Sequence, residues 1–141
     1  MVDFEFLEHT SDLKFRAYGE TLDTVMVNAV KALTCAFIGK QEVDSKIKRN
    51  IKVSADSLEV LVHDFLSELI FLFATEQYVA SDVSSLTVSE ERGFCLKASL
   101  AGNRLDFSRH RVETEVKAVT YHDMVVREEK GGWVVQVVCD I

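Results

Sequence analysis

A chain of 141 residues, 48% hydrophobic and 28% charged, has the make-up of one ordinary globular domain and excludes a disordered or fibrous protein. At that size folding buries about 68–70% of the surface an unfolded chain exposes, so neither disulfides nor a structural metal are needed for stability. The formal charge of -7 argues against broad binding to a phosphate backbone, which relies on a surplus of Lys and Arg, while leaving room for local basic patches.

Residues 2–7 and 13–19 alternate apolar with polar side chains, the period of half-buried strands. Between them Glu8-His9-Thr10-Ser11-Asp12 breaks the alternation, so a loop rich in reactive side chains sits at a strand junction. The period then changes. From Thr21, read as an N-cap, Leu22, Val25, Met26, Ala29, Val30, Leu33 and Phe37 recur at helical spacing, and Gly39 supplies the stop. Residues 46–54 read as a strand whose Lys46, Lys48, Arg49 and Lys52 form a solvated basic face. Ser57 or Asp56 caps a second helix, and its apolar stripe from Leu58 to Phe73 is wide enough to imply burial against a sheet.

The spans 83–90, 93–101, 114–121, 123–129 and 133–140 read as strands, punctuated by Gly93, Gly102-Asn103 and Gly131-Gly132, with pairs of them forming antiparallel hairpins. No proline, repeat or linker-like shift of composition interrupts the chain, which predicts a single domain over residues 1–141. The expected class is α+β: a two-layer domain with two helices packed on a largely antiparallel or mixed sheet. Cys35, Cys95 and Cys139 are far apart, there is no secretory segment, and the longest apolar run, Leu69 to Ala74, is too short to span a bilayer. A reduced, cytoplasmic protein without membrane association is expected.

Two acidic residues stand out. Asp140 closes a C-terminal strand that is apolar on both faces and therefore central, and pairing of that strand beside the N-terminal one would bring Asp140 to Asp12. Two close carboxylates repel unless a proton or cation intervenes, and hard oxygen ligands favour Ca²⁺, Mg²⁺ or Mn²⁺, with backbone carbonyls or the terminal carboxylate completing the shell. The plainer alternative makes Asp140 a solvated chain end and Asp12 a turn residue. A second candidate is the positive cluster Arg104, Arg109, His110, Arg111 and Lys117, suited to phosphate or an acidic partner, or else an ordinary solvated surface. Lys117 lies among Val116, Ala118 and Val119, which places its amine against a buried strand. The four histidines show no zinc spacing, and His63, beside the apolar stripe of its helix, reads as structural.

Three blocks of the chain resemble the archease family, the small partner proteins of RtcB-type RNA-splicing ligases. Glu8-His9-Thr10-Ser11-Asp12 is similar to that family's opening Glu-His-Thr-Ala/Ser-Asp, and Glu115-Val116-Lys117-Ala118-Val119-Thr120-Tyr121-His122 to its Glu-Ile/Val-Lys-Ala-Ile/Val-Thr-Tyr-His block. Val137-Val138-Cys139-Asp140-Ile141 resembles its terminal apolar strand closed by Asp-Ile or Asp-Val. Lys14 departs from the resemblance, standing where a glycine or small residue often follows the opening motif.

The resemblance implies that Asp12 and Asp140 bind a divalent metal (Ca²⁺, or Mn²⁺ or Mg²⁺) with a main-chain or terminal oxygen of Ile141, and that Lys117 nearby supports activity. Within the opening loop, Glu8 reads as either a rim charge or an additional ligand, and His9 and Thr10 as residues that shape the loop or support the Asp12 carboxylate. It also implies a function as a non-catalytic activator that promotes guanylylation and multiple turnover of an RtcB-type tRNA-splicing ligase. GTP is then used by the ligase and not bound by this chain alone, and RNA is met only indirectly. The alternative is a chaperone or specificity modulator of a tRNA methyltransferase.

Overall fold

A computed structural model describes residues 2–9 and 11–141; Thr10, expected to shape the opening loop, lies outside them. The elements run β1 (Phe4–Leu7), β2 (Leu13–Gly19), α1 (Leu22–Ile38), β3 (Ile47–Ala55), α2 (Leu58–Glu76), β4 (Tyr78–Glu90), β5 (Phe94–Arg104), β6 (Ala118–Glu129) and β7 (Gly132–Asp140). This is the expected α+β class. The strands form two antiparallel sheets, ordered β1-β2-β7-β6 and β3-β5-β4, with no parallel pairing among the described residues.

Each helix starts where its capping chemistry dictates. The Thr21 hydroxyl accepts from the Thr24 N–H at 3.1 Å, and Ser57, rather than Asp56, accepts from the Val60 N–H at 3.2 Å. These bonds satisfy amides that have no partner within the helix. Gly39 ends α1 with a left-handed φ of 63° and an N–H donated to the Cys35 carbonyl. Gln77 ends α2 in the left-handed helical region, with φ 53° and ψ 31°.

Both helices touch both sheets, and one continuous apolar core joins them. At its centre Phe37 of α1 stacks on Phe73 of α2, with centroids 4.2 Å apart and ring planes 4° from parallel. β7 lies between β2 and β6, and its residues from Val134 to Cys139 are buried on both faces, as a run without alternation requires. No helix among the described residues is long and apolar enough to cross a membrane.

Four local expectations are corrected. The strand expected at 83–90 begins at Tyr78, because the left-handed stop at Gln77 carries no glycine to announce it. Gly102 and Asn103 lie within β5 rather than in a turn. The spans 114–121 and 123–129 are one strand, β6, beginning at Ala118 and broken in register between Thr120 and Val125. Arg49 does not share the solvated face of Lys48 and Lys52: it reaches Glu76 at 2.5 Å and lies over the Tyr78 ring, whose hydroxyl donates to the Ile47 carbonyl.

Candidate functional site

The first link in the site is strand register. β2 and β7 are antiparallel with Leu13 opposite Cys139 as the end pair of the ladder, so Asp12 and Asp140 are the residues next beyond that pair on the two strands. On the other side of β7, Asp140 pairs with Ala118 of β6, and the Lys117 N–H donates to the Asp140 carbonyl at 2.8 Å. Asp12, Asp140, the backbone of Lys117 and the terminal Ile141 therefore meet at one end of one sheet. Asp12 is half-buried and the other three are exposed.

The donor set suits a hard cation. Asp12 and Asp140 offer carboxylate oxygens, the Lys117 N–H occupies one lone pair of the Asp140 carbonyl, and Ile141, the ligand the resemblance implies, follows directly in the chain. Such oxygens match Ca²⁺, Mg²⁺ or Mn²⁺. Lys117 joins the site through its backbone. Its side chain lines a groove of about 420 Å³ with Ile70, Phe73, Phe107 and Val116.

The loop after β1 supplies the second half of the site. Ser11 adopts a left-handed φ of 68°, which turns the chain into β2. Glu8 is exposed, and His9 is half-buried. The His9 Nδ1 is buried and lies 3.4 Å from Asp12 Oδ2, near enough for charge attraction when the ring is protonated, yet it makes no hydrogen bond among the described residues. The His9 ring meets that of His122 edge to face, with centroids 5.9 Å apart.

His122 reaches this point because β6 bulges. Asp123 takes a left-handed φ of 51°, and the Gln136 side chain of β7 donates to its carbonyl at 2.7 Å. Gln136 is itself held by Arg16 of β2, whose guanidinium donates to its Oε1. The Thr120 hydroxyl donates to the Val138 carbonyl and accepts from the His122 N–H. Tyr121, 52% exposed, stacks on His63 of α2 with centroids 4.5 Å apart. His122 Nε2 lies 3.4 Å from Asp123 Oδ2, and Lys14 Nζ lies 3.8 Å from that same oxygen.

The convergence of His122 and Asp123 on His9 escaped the sequence reading, which tested the histidines only for zinc spacing. The available signal was the loss of alternation around residues 121–124. Of the expected positive cluster, Arg104 pairs with Glu76, Arg111 with Glu113, and His110 accepts from the Asp106 N–H within a turn while its Nε2 lies 2.9 Å from the Glu42 carbonyl. In that turn the Ser108 hydroxyl and N–H hold the Asp106 carboxyl below its ordinary range.

Residues 4–141 match the Archease protein family (MTH1598/TM1083). The chain belongs to the archease family. The archease of Methanosarcina mazei is 39% identical over 139 residues, spanning 98% of this chain and 95% of that one. The archease of Pyrococcus abyssi is 35% identical over the full length of both. Among solved structures, protein 1598 of Methanobacterium thermoautotrophicum superposes with a TM-score of 0.85 at 29% identity, covering 99% of each chain. An archease of Thermotoga maritima, described as a possible chaperone, shares the fold at a TM-score of 0.65 and 18% identity, over 96% of this chain and 94% of that one. The three archease-like blocks, at residues 8–12, 115–122 and 137–141, are thus neighbours in space as well as in family resemblance.

Proposed function

We propose that this archease-family chain is a non-catalytic activator of an RtcB-type tRNA-splicing ligase, promoting the ligase's GTP-dependent guanylylation and its multiple turnover. The observation that supports the reading is the convergence of the three blocks at one sheet end, where Asp12 and Asp140 flank the paired Leu13 and Cys139 and the Lys117 N–H donates to the Asp140 carbonyl. Asp12, Asp140 and an oxygen of Ile141 would hold a divalent cation, which when bound supplies positive charge at this end of an acidic protein.

The chain's own residues prepare that end for a partner. Lys117 is exposed, and no carboxylate among the described residues pairs with its ammonium, which leaves it available to an anionic group on the ligase or its nucleotide. Glu8 lies exposed on the rim, and His9 stands beside Asp12. GTP and RNA are handled by the ligase in the cytoplasm, and this chain meets them through it.

The test is transfer of labelled GMP to the ligase in the presence of Asp12→Ala, Asp140→Ala or Lys117→Ala variants. Perturbing a metal site typically costs about 10–100-fold, so Asp12→Ala and Asp140→Ala are each expected to lower the stimulated rate by about that factor, and Lys117→Ala, which keeps the backbone bond but removes the ammonium, is expected to lower it as well. Full stimulation by all three would overturn the site assignment. Recovery of a tRNA methyltransferase with the tagged protein, without any ligase and without sensitivity to Asp12→Ala, would transfer the function to that partner.

A further inference from the structure

We propose that His9, His122 and Asp123 form a second cation site, beside the Asp12–Asp140 carboxylates and separate from them, that takes a divalent transition ion such as Zn²⁺ or Co²⁺. One ligating atom from each of these three side chains lies within 4.8 Å of the other two. Ligands bound at about 2.1 Å around a tetrahedral ion sit about 3.4 Å from one another. His122 Nε2 and Asp123 Oδ2 are already at 3.4 Å, so closing the set on an ion needs only small rotations of exposed or half-exposed side chains.

The backbone explains how neighbouring residues serve one point. In a regular strand, successive side chains face opposite ways, so His122 and Asp123 would diverge. The register break between Thr120 and Val125 and the left-handed Asp123 remove that constraint. The bulge is held by hydrogen bonds from Gln136 and Thr120, so its shape does not depend on an ion.

Two observations independent of the bulge point the same way. His9 keeps a buried Nδ1 that makes no hydrogen bond among the described residues, a polar group still unmet beside the cluster. Asp12 Oδ2 stands 3.4 Å from that nitrogen, so the carboxylate can orient the imidazole from its Nδ1 side, as carboxylates do for metal-binding histidines, and Nε2 is the His9 atom left to meet the ion. Two imidazoles and one carboxylate also differ in chemistry from the neighbouring oxygen set. Imidazole favours Zn²⁺, Co²⁺ and related ions, whereas Ca²⁺ and Mg²⁺ prefer oxygen.

Lys14 acts against the ion. Its ammonium lies 3.8 Å from Asp123 Oδ2 and competes for the same carboxylate. A chain with a small residue at this position would hold the ion more tightly.

Cobalt is the probe, because its visible absorption reports ligand type and number directly. Full-length protein is titrated with Co²⁺ in millimolar Ca²⁺, which fills the oxygen site. One equivalent is expected to bind with the absorption of a nitrogen-containing low-coordinate site, and Zn²⁺ should displace it. His122→Ala is expected to weaken binding by tenfold or more; His122 is exposed, so the fold survives, and circular dichroism verifies this. His9→Ala should weaken it similarly, and Lys14→Ala should tighten it. Asp140→Ala should retain the cobalt spectrum. Binding that is lost in Asp140→Ala but unchanged in His122→Ala, or absent altogether in the unmodified protein, would overturn the proposal. Because no ligase enters this assay, its outcome is distinct from that of the activation test.

Discussion

Cys139 and Asp140 are adjacent but face opposite environments. The Cys139 side chain is wholly buried beneath the site, and its thiol is pushed up to about 12, first by burial and second by the negative charge of Asp140. A raised value means that the folded state holds the proton more tightly than the unfolded state. The associated stability is therefore fully present below the ordinary cysteine value of 9.0 and is lost as the pH climbs from there toward about 12. In native protein at about pH 8.5, iodoacetamide is expected to modify the partly exposed Cys35 and Cys95 while sparing Cys139, which should react only after unfolding. Peptide mass spectrometry reads the result; modification of Cys139 at the rate of the other two would contradict its burial. Periodicity shows that Cys139 belongs to a strand, but not which face of a doubly buried strand it occupies.

At the scale of elements, the helices were legible because their signals are local. Thr21 and Ser57 accept from amides three residues ahead, and each apolar stripe is written in its own helix. Strand limits were legible only where a turn residue marks them. Gly102 is the instructive failure: glycine beside asparagine suggests a turn, yet both residues continue β5, Gly102 opposite β3 and β4 and Asn103 opposite β4. The glycine is needed there for a different reason. A Cβ at position 102 would come 1.9 Å from the Val79 carbonyl oxygen, where β4 slips register between Ala80 and Asp82. Gly102→Ala should therefore force the β4 and β5 backbones apart and cost about 1–3 kcal/mol, as overpacking typically does. Urea denaturation should show a lower midpoint with little change in slope. A wild-type midpoint would mean that β4 shifts freely at its bulge.

Across the whole molecule, the site depends on strand order, which local periodicity does not encode. The pattern of Trp133 to Cys139 marks a strand buried on both faces and so central, but it cannot say that β2 lies on one side and β6 on the other. That order brings residues 12, 117, 122 and 140 to one end of the sheet, and it also explains why Asp12 and Asp140 were legible as a pair while His9 and His122 were not. The carboxylate pair followed from a single guessed adjacency and gained weight from the archease resemblance; the histidine contact needs two adjacencies and a bulge. Under the proposed function, the same geometry puts Ile141 at the edge of the candidate site. β7 stops at Asp140, and Ile141 is 46% exposed beside the carboxylates, so a peptide added after it would remove the terminal carboxylate and crowd Lys117. The N-terminus enters through β1, an edge strand whose first residue, Phe4, lies opposite Ala17, at the far end of β1 from the Leu7–Lys14 pair that leads into the loop. A short extension after Ile141 is accordingly expected to lower ligase activation by about tenfold, within the range that perturbed metal sites show, while the same extension before Met1 leaves it nearly unchanged. Parallel guanylylation assays with the two tagged forms make the comparison, with thermal melts to confirm equal folding. Equal activation by both would remove the Ile141 oxygen from the proposed ligand set and leave the cation to Asp12 and Asp140 side chains alone.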